Sequence, residues 1–198
     1  TSFSFLLLEG YIFPDTYEFY LESDAQSVVD KFIENYNSKI TDEMKQRAKT
    51  LGYTMDQMIT LASVIQKECD ADIDECANVS SVFHNRLKDP ASFPKLESDV
   101  TTFYISQNLK DVIGYQDGVA LENQNGEVKK YMELYSTYYR SGLPVGPICN
   151  PGLKAINAAL HPAETNYVFF LTDESGEHFY YASTIAEHNA NGVKAGLF

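Results

Sequence analysis

The segment from 54 to 68 leaves this chain the least freedom. Thr54 followed three residues later by Gln57 is a capping box, each side chain placed to hold a backbone N–H that the first helical turn would leave bare. Behind it Leu61, Val64 and Ile65 recur on one side at 100° per residue, which predicts a helix over 55–68 with an apolar stripe. Glu68 is seven residues after Leu61, four after Val64 and three after Ile65, so it stands in line with that stripe, whereas Gln66 points roughly the other way. A fold built on this helix has to bury the stripe and accommodate a carboxylate at its end.

The rest of the chain is read around that helix. Residues 3–19 read as strand, turn, strand, broken at Pro14-Asp15. Helices are expected over 25–36 and 41–51, and from Asp72, which forms a second capping box with Glu75, to Lys88 before Asp89-Pro90. The stretch 90–149 reads as irregular, with a rigid run Gly142-Leu143-Pro144-Val145-Gly146-Pro147. Asn150-Pro151 reads as the cap and first residue of a helix that Pro162 ends. A hairpin over 167–181, around Glu174-Ser175-Gly176, and a helix capped by Ser183 or Thr184 complete the chain. Strands, helices, loop, helix, strands, helix is an α+β order, helix-rich with a small sheet or hairpins, rather than a regular βαβ alternation.

Charge narrows the partners. Lys plus Arg is 15 and Asp plus Glu is 28, a net of −13 that phosphate backbones and anionic bilayers repel, so no nucleic acid is expected. The apolar run at the start, residues 5–8, is far short of the roughly 20 residues of a membrane span. The chain opens with Thr inside an apolar stretch and shows no signal peptide, so any anchor is expected upstream. Cys69, Cys76 and Cys149 are too few and too odd for a disulfide framework; Cys69 and Cys76 bracket a helix–helix turn where pairing is one reading and free, buried thiols the commoner one. His84, His161, His178 and His188 have no metal spacing, and no GxSxG, P-loop or GxGxxG occurs.

That leaves Glu68. On a core-facing stripe a carboxylate must be neutral, paired or in a cleft. The helix C-terminus presents partial negative charge, and burial penalises an anion, so both raise the pKa of Glu68. A carboxylic acid protonated near neutral pH is what protonation of a glycosidic oxygen requires. The competing reading is an ordinary glutamate at a frayed helix end.

Several segments, in order, resemble the YceG-like (MltG-type) endolytic murein transglycosylases. Residues 8–17, LEGYIFPDTY, look like LEGYLFPDTY; 61–68, LASVIQKE, resemble LASIVEKE; 82–87, VFHNRL, look like VFYNRL; and 96–101, LESDVT, resemble LQSDPT. Residues 135–138 with 142–151, YSTY…GLPVGPICNP, resemble YNTY…GLPPGPIANP, and 179–189 resemble a strand running into T…EHN. Gln66 replaces a glutamate, Val100 a proline and Ser136 an asparagine; the stretch 116–130 has no counterpart and receives no role.

The resemblance implies a single YceG-like catalytic domain over 1–198, with residues 1–20 near the seam to an N-terminal LysM-like region. It implies a peptidoglycan lytic transglycosylase that cuts the β-1,4 bond between N-acetylmuramic acid and N-acetylglucosamine and leaves 1,6-anhydro ends. Glu68 would act as acid and then base, without a cofactor or metal. Asn85, Ser98, Asp99, Thr101, Asn150, Glu187, His188 and Asn189 would bind sugar or orient Glu68. The implied setting is the outer face of the cytoplasmic membrane, anchored by an upstream helix, on glycan strands near synthases such as penicillin-binding proteins. The rival readings are a hydrolase using Glu68 with Asp99, a glycan-binding module without turnover, and a scaffold that only recruits synthases.

Overall fold

A computed structural model describes residues 8–197. Its centre is the capped helix of the sequence reading, here α3 (Met55–Glu68), with Thr54 and Gln57 making both bonds of the capping box. The run Met58 to Ile65 is buried without interruption, so this part of α3 is enclosed on every side rather than along one stripe. Its main neighbour is α8 (Leu153–Leu160), small and apolar, which also packs on α4 (Ile73–Lys88). Helix α1 (Ala25–Lys39), capped by Asp24, and α2 (Asp42–Thr50), capped by Thr41, precede α3.

The stretch 90–149 is irregular at both ends but carries short helices between 99 and 135, which the irregular reading did not expect. It holds α5 (Asp99–Phe103), a π-helical turn (Tyr104–Asn108), α6 (Lys110–Ile113), a 3-10 turn (Leu121–Asn123) and α7 (Gly126–Tyr135). Most of these are too short to write a periodic stripe, and α7 starts from Asn125, whose side chain accepts from Val128 N–H without a capping-box partner. Within 116–130 the buried Gln124 amide closes a loop on the carbonyls of Gln116 and Val119.

β1 (Phe169–Thr172) and β2 (Phe179–Ala182) form an antiparallel hairpin, Phe170 opposite Tyr181, and α9 (Ile185–Lys194), capped by Thr184, lies against both. Phe170 packs edge-on to Phe83 of α4, 5.9 Å between ring centres, which fixes the hairpin beside the end of α3.

Two further expectations are corrected. The strands expected in 3–19 do not form over 8–19; residues 3–7 lie outside the described residues. Here the backbone turns at Tyr11, whose N–H bonds Leu8 O, and its neighbours Gly10 and Ile12 donate to the side chain of Asn150 at 2.7 and 3.1 Å. Asn150 therefore caps no helix: α8 begins at Leu153. Gly10, at φ +87°, passes so close to Pro147 that an added Cβ would lie 2.4 Å from its Cγ, so this crossing admits only glycine.

Candidate active site

Glu68 is the last residue of α3, and its neighbour Cys69 closes the helix by donating to Ile65 O. Cys69 is bonded to Cys76, in the first turn of α4, so the commoner free-thiol reading is corrected for that pair; Cys149 is free. The two helices are thus tied together immediately after the carboxylate. Glu68 faces a cleft of about 810 Å³. Burial pushes its pKa above the ordinary carboxylate range, the hydrogen bond from Ser98 opposes this, and the charge of Asp99 adds to the rise.

Ser98 Oγ donates to Glu68 Oε1 at 2.5 Å. The serine is 4% exposed and its backbone is locked. Its N–H donates to Thr137 Oγ1 at 2.9 Å, and its carbonyl accepts from Thr101 Oγ1 at 2.6 Å. Thr101 Oγ1 in turn accepts from Thr137 N–H at 3.0 Å. Ser136, standing where an asparagine was expected, meets Thr102 Oγ1 at 2.8 Å in the same ladder. Only the Ser98 hydroxyl is left to face the carboxylate. The preceding residue, Glu97, has φ +55°, a conformation that costs a non-glycine side chain and is held by its surroundings.

Arg86 supplies that hold. It is 7% exposed, and its guanidinium donates to Val168 O at 2.7 Å, Leu96 O at 2.9 Å and Glu97 Oε2 at 3.1 Å. It lies over the rings of Phe93 and Phe169 as well. It therefore joins α4, the Ser98 loop and the hairpin into one wall. Sequence reasoning passed over Arg86, although it sits beside Asn85 in the 82–87 segment. Its only signal was a cation inside an otherwise apolar helix face.

The other walls are aromatic and polar. His188 stacks on Phe169, 5.1 Å between ring centres, and burial, then Arg86, holds its pKa below the usual histidine range. Tyr138, also missed, donates to Asp99 Oδ1 at 2.8 Å; burial and then that bond push the phenol up to about 12, so it stays a donor. Among the described residues, no group of three or more His, Cys, Asp or Glu could hold a metal ion.

The expected site residues divide. Glu68, Ser98, Asp99 and His188 line the cleft together. Thr101 is buried behind Ser98. Asn85 donates to the carbonyls of Thr165 and Tyr167, which lead into β1, and does not line the cleft. Asn150 holds the 10–12 turn. Glu187 accepts from Ser183 N–H and donates its own N–H to the Thr184 cap, and Asn189 is exposed outside the lining. Gln66 accepts from Gly152 N–H at 3.1 Å, a structural role at the start of α8.

Comparison with known proteins finds relatives that span nearly the whole chain. The model of the YceG-like family matches residues 2–194. An endolytic murein transglycosylase of Bacillus subtilis is 34% identical over 92% of this chain and 46% of its own length. One from Streptococcus pneumoniae is 26% identical over 93% of this chain and 31% of its own. The chain thus spans less than half the length of these relatives. A crystal structure of a yceG-like protein from Listeria monocytogenes superposes with a TM-score of 0.69 at 28% identity, over 92% of this chain and 54% of that one.

Proposed function

The chain belongs to the YceG-like family, and on that premise we propose that it is an endolytic peptidoglycan lytic transglycosylase with Glu68 as its acid and base. The observation that carries the reading is one partly buried carboxyl, raised in pKa, facing a cleft of about 810 Å³. Protonated Glu68 gives its proton to the oxygen between N-acetylmuramic acid and N-acetylglucosamine as the C–O bond breaks. The carboxylate left behind then takes the proton of the muramic O6 hydroxyl while that oxygen closes on the anomeric carbon. The proton returns to Glu68, no water is consumed, and the product ends in a 1,6-anhydro ring. Because the nucleophile belongs to the substrate, one carboxylate suffices where ordinary glycosidases need a pair. Ser98 orients the carboxylate and steadies its charged form; Asp99 and His188 are proposed to contact sugar.

On this reading residues 1–198 are the catalytic domain, near a LysM-like region at its N-terminal seam. The chain would work outside the cytoplasmic membrane beside peptidoglycan synthases, tethered by a segment upstream. Among the described residues no helix is long and apolar enough to cross a membrane.

The test is mass spectrometry of purified peptidoglycan incubated with the chain and with Glu68→Gln. Internal cuts ending in 1,6-anhydro-muramic acid, lost in the variant, are expected. Reducing ends would mean a hydrolase and direct attention to Asp99. Unchanged glycan from folded protein would count against turnover by this chain.

A further inference from the structure

A second hollow of about 410 Å³ lies away from Glu68, lined by Tyr53, Asp56, Gln57, Thr60, Leu87 and Arg140 together with the 141–145 turn. It shares walls with the cleft. Adjacent residues of α4, Arg86 and Leu87, line one each, as do Tyr138 and Arg140 two positions apart. Along α3, Thr60 and Glu68 are separated by roughly 12 Å of helix.

Arg140 distinguishes this hollow. Its guanidinium is partly desolvated and donates to Leu134 O at 2.7 Å, and its Nε is buried with no hydrogen-bond partner. Among the described residues no carboxylate pairs with it. A partly buried cation without a counter-ion is costly, and a carboxylate is the group that fits its planar fork. The same lining holds one anion, the exposed Asp56, whose Oδ1 accepts the Tyr11 hydroxyl at 2.9 Å. A lining with one cation and one anion suits a ligand with both charges.

We propose that this hollow binds a peptide arm carrying both a terminal carboxylate, taken by Arg140, and a free primary amine, taken by Asp56. The inference rests on the polysaccharide reading of the cleft: a glycan lying there would bring its own peptide substituents to a hollow on the other side of the same wall. Acylation of the amine, as in a cross-linked arm, removes one of the two charges, so the hollow discriminates in favour of uncross-linked strands.

The experiment is an NMR titration of the labelled chain with three probes. These are a stem tetrapeptide with free diamino-acid amine and free C-terminus, its N-acetylated form, and its C-terminal amide. The free tetrapeptide is expected to shift the amides of Thr60, Leu87 and Gly142. Either capped probe should bind at least about tenfold more weakly, the loss of one charge-assisted contact. Arg140→Gln should weaken the free peptide by a similar factor and become indifferent to the amide cap. Asp56→Asn, whose amide oxygen can still accept from Tyr11, should become indifferent to N-acetylation. Equal affinity for all three probes on the unmodified chain would overturn the proposal even if Arg140→Gln does not fold. Shifts confined to the Glu68 cleft, or none at all, would overturn it too. Peptide binding without glycan cleavage would remove the lytic reading and leave the hollow; cleavage without peptide binding would do the reverse.

Discussion

The middle of α3 and its C-terminal end are both polar, and they are built on opposite terms. In the middle, side-chain groups are committed to backbone. Ser63 Oγ donates to Thr60 O and accepts from Ile148 N–H, Gln66 Oε1 accepts from Gly152 N–H, and Asn150 holds the turn at Gly10 and Ile12. At the end, Glu68 is held in a raised-pKa state with one hydroxyl for company and a cleft in front of it. The first region locks loops onto the central helix. The second keeps a costly group in place, as a site does when a partner or a reaction completes it.

The sharpest way to separate the two is Glu68→Gln. Glycan cleavage should fall by about 10²- to 10⁴-fold, the usual range for loss of a general acid and base. Stability should move the other way. The folded carboxyl keeps its proton to higher pH than the unfolded one, whose ordinary value is 4.5, so the folded state binds more protons in the interval between. Wild-type stability therefore declines as pH rises through that interval, while the variant has no such proton to lose. Melting curves from pH 4 to 8 should show the variant gaining on the wild type toward alkaline pH. A constant gap would mean that the carboxyl is not strained by burial.

Next in size is the Cys69–Cys76 bridge, which closes a short loop between α3 and α4. Replacing both with serine should cost about 2–3 kcal/mol in denaturant unfolding, from loop-closure entropy returned to the unfolded chain. It should also lower cleavage, because the bond adjoins Glu68. A stability loss with full activity would show that the Ser98 ladder positions Glu68 unaided. Asn150→Ala belongs to the other region. Two N–H groups lose their acceptor, so about 2 kcal/mol or more of stability should go. Activity per folded molecule should change little, measured at a temperature where the variant is fully native. A large fall in that specific activity would put Asn150 in the glycan site after all.

The same contrast explains what was legible beforehand. Helix α3 was readable because its signals are local: a threonine, a glutamine three residues on, and apolar spacing. Glu68 was readable from its place on the stripe, although its partial burial comes from Ser98 and the cleft walls rather than from the stripe alone, since the enclosed run of α3 ends at Ile65. Asn150-Pro151 misled because a good local cap signal was overridden by partners 138 to 140 residues away. Ser98 and Thr101 were named beforehand, but their bonds to Thr137, and the parts played by Arg86 and Tyr138, were not, for a related reason: each acts through contacts between segments far apart in sequence. Short helices such as α5 and α6 carry no period to read and exist because the core encloses Thr101, Ile105 and Ile113.

The smallest effects give the finest test of how the cleft tunes its acid. Ser98 and Asp99 are neighbours that act on Glu68 in opposite directions: the Ser98 hydroxyl lowers its pKa by bonding the charged form, and the Asp99 carboxylate raises it by repulsion. If Glu68 is the acid, activity falls at alkaline pH as it loses its proton. Ser98→Ala should then move that alkaline limb to higher pH, and Asp99→Asn should move it to lower pH. The asparagine can still accept from the Tyr138 hydroxyl, so the wall of the cleft is kept while the charge is removed. Neither shift should be large, because burial is the leading cause of the raised pKa and both variants leave it in place. The signs carry the information. A merely structural role for either residue would lower the rate at all pH values without moving the limb. Two shifts in the same direction would mean that the limb reports a group other than Glu68.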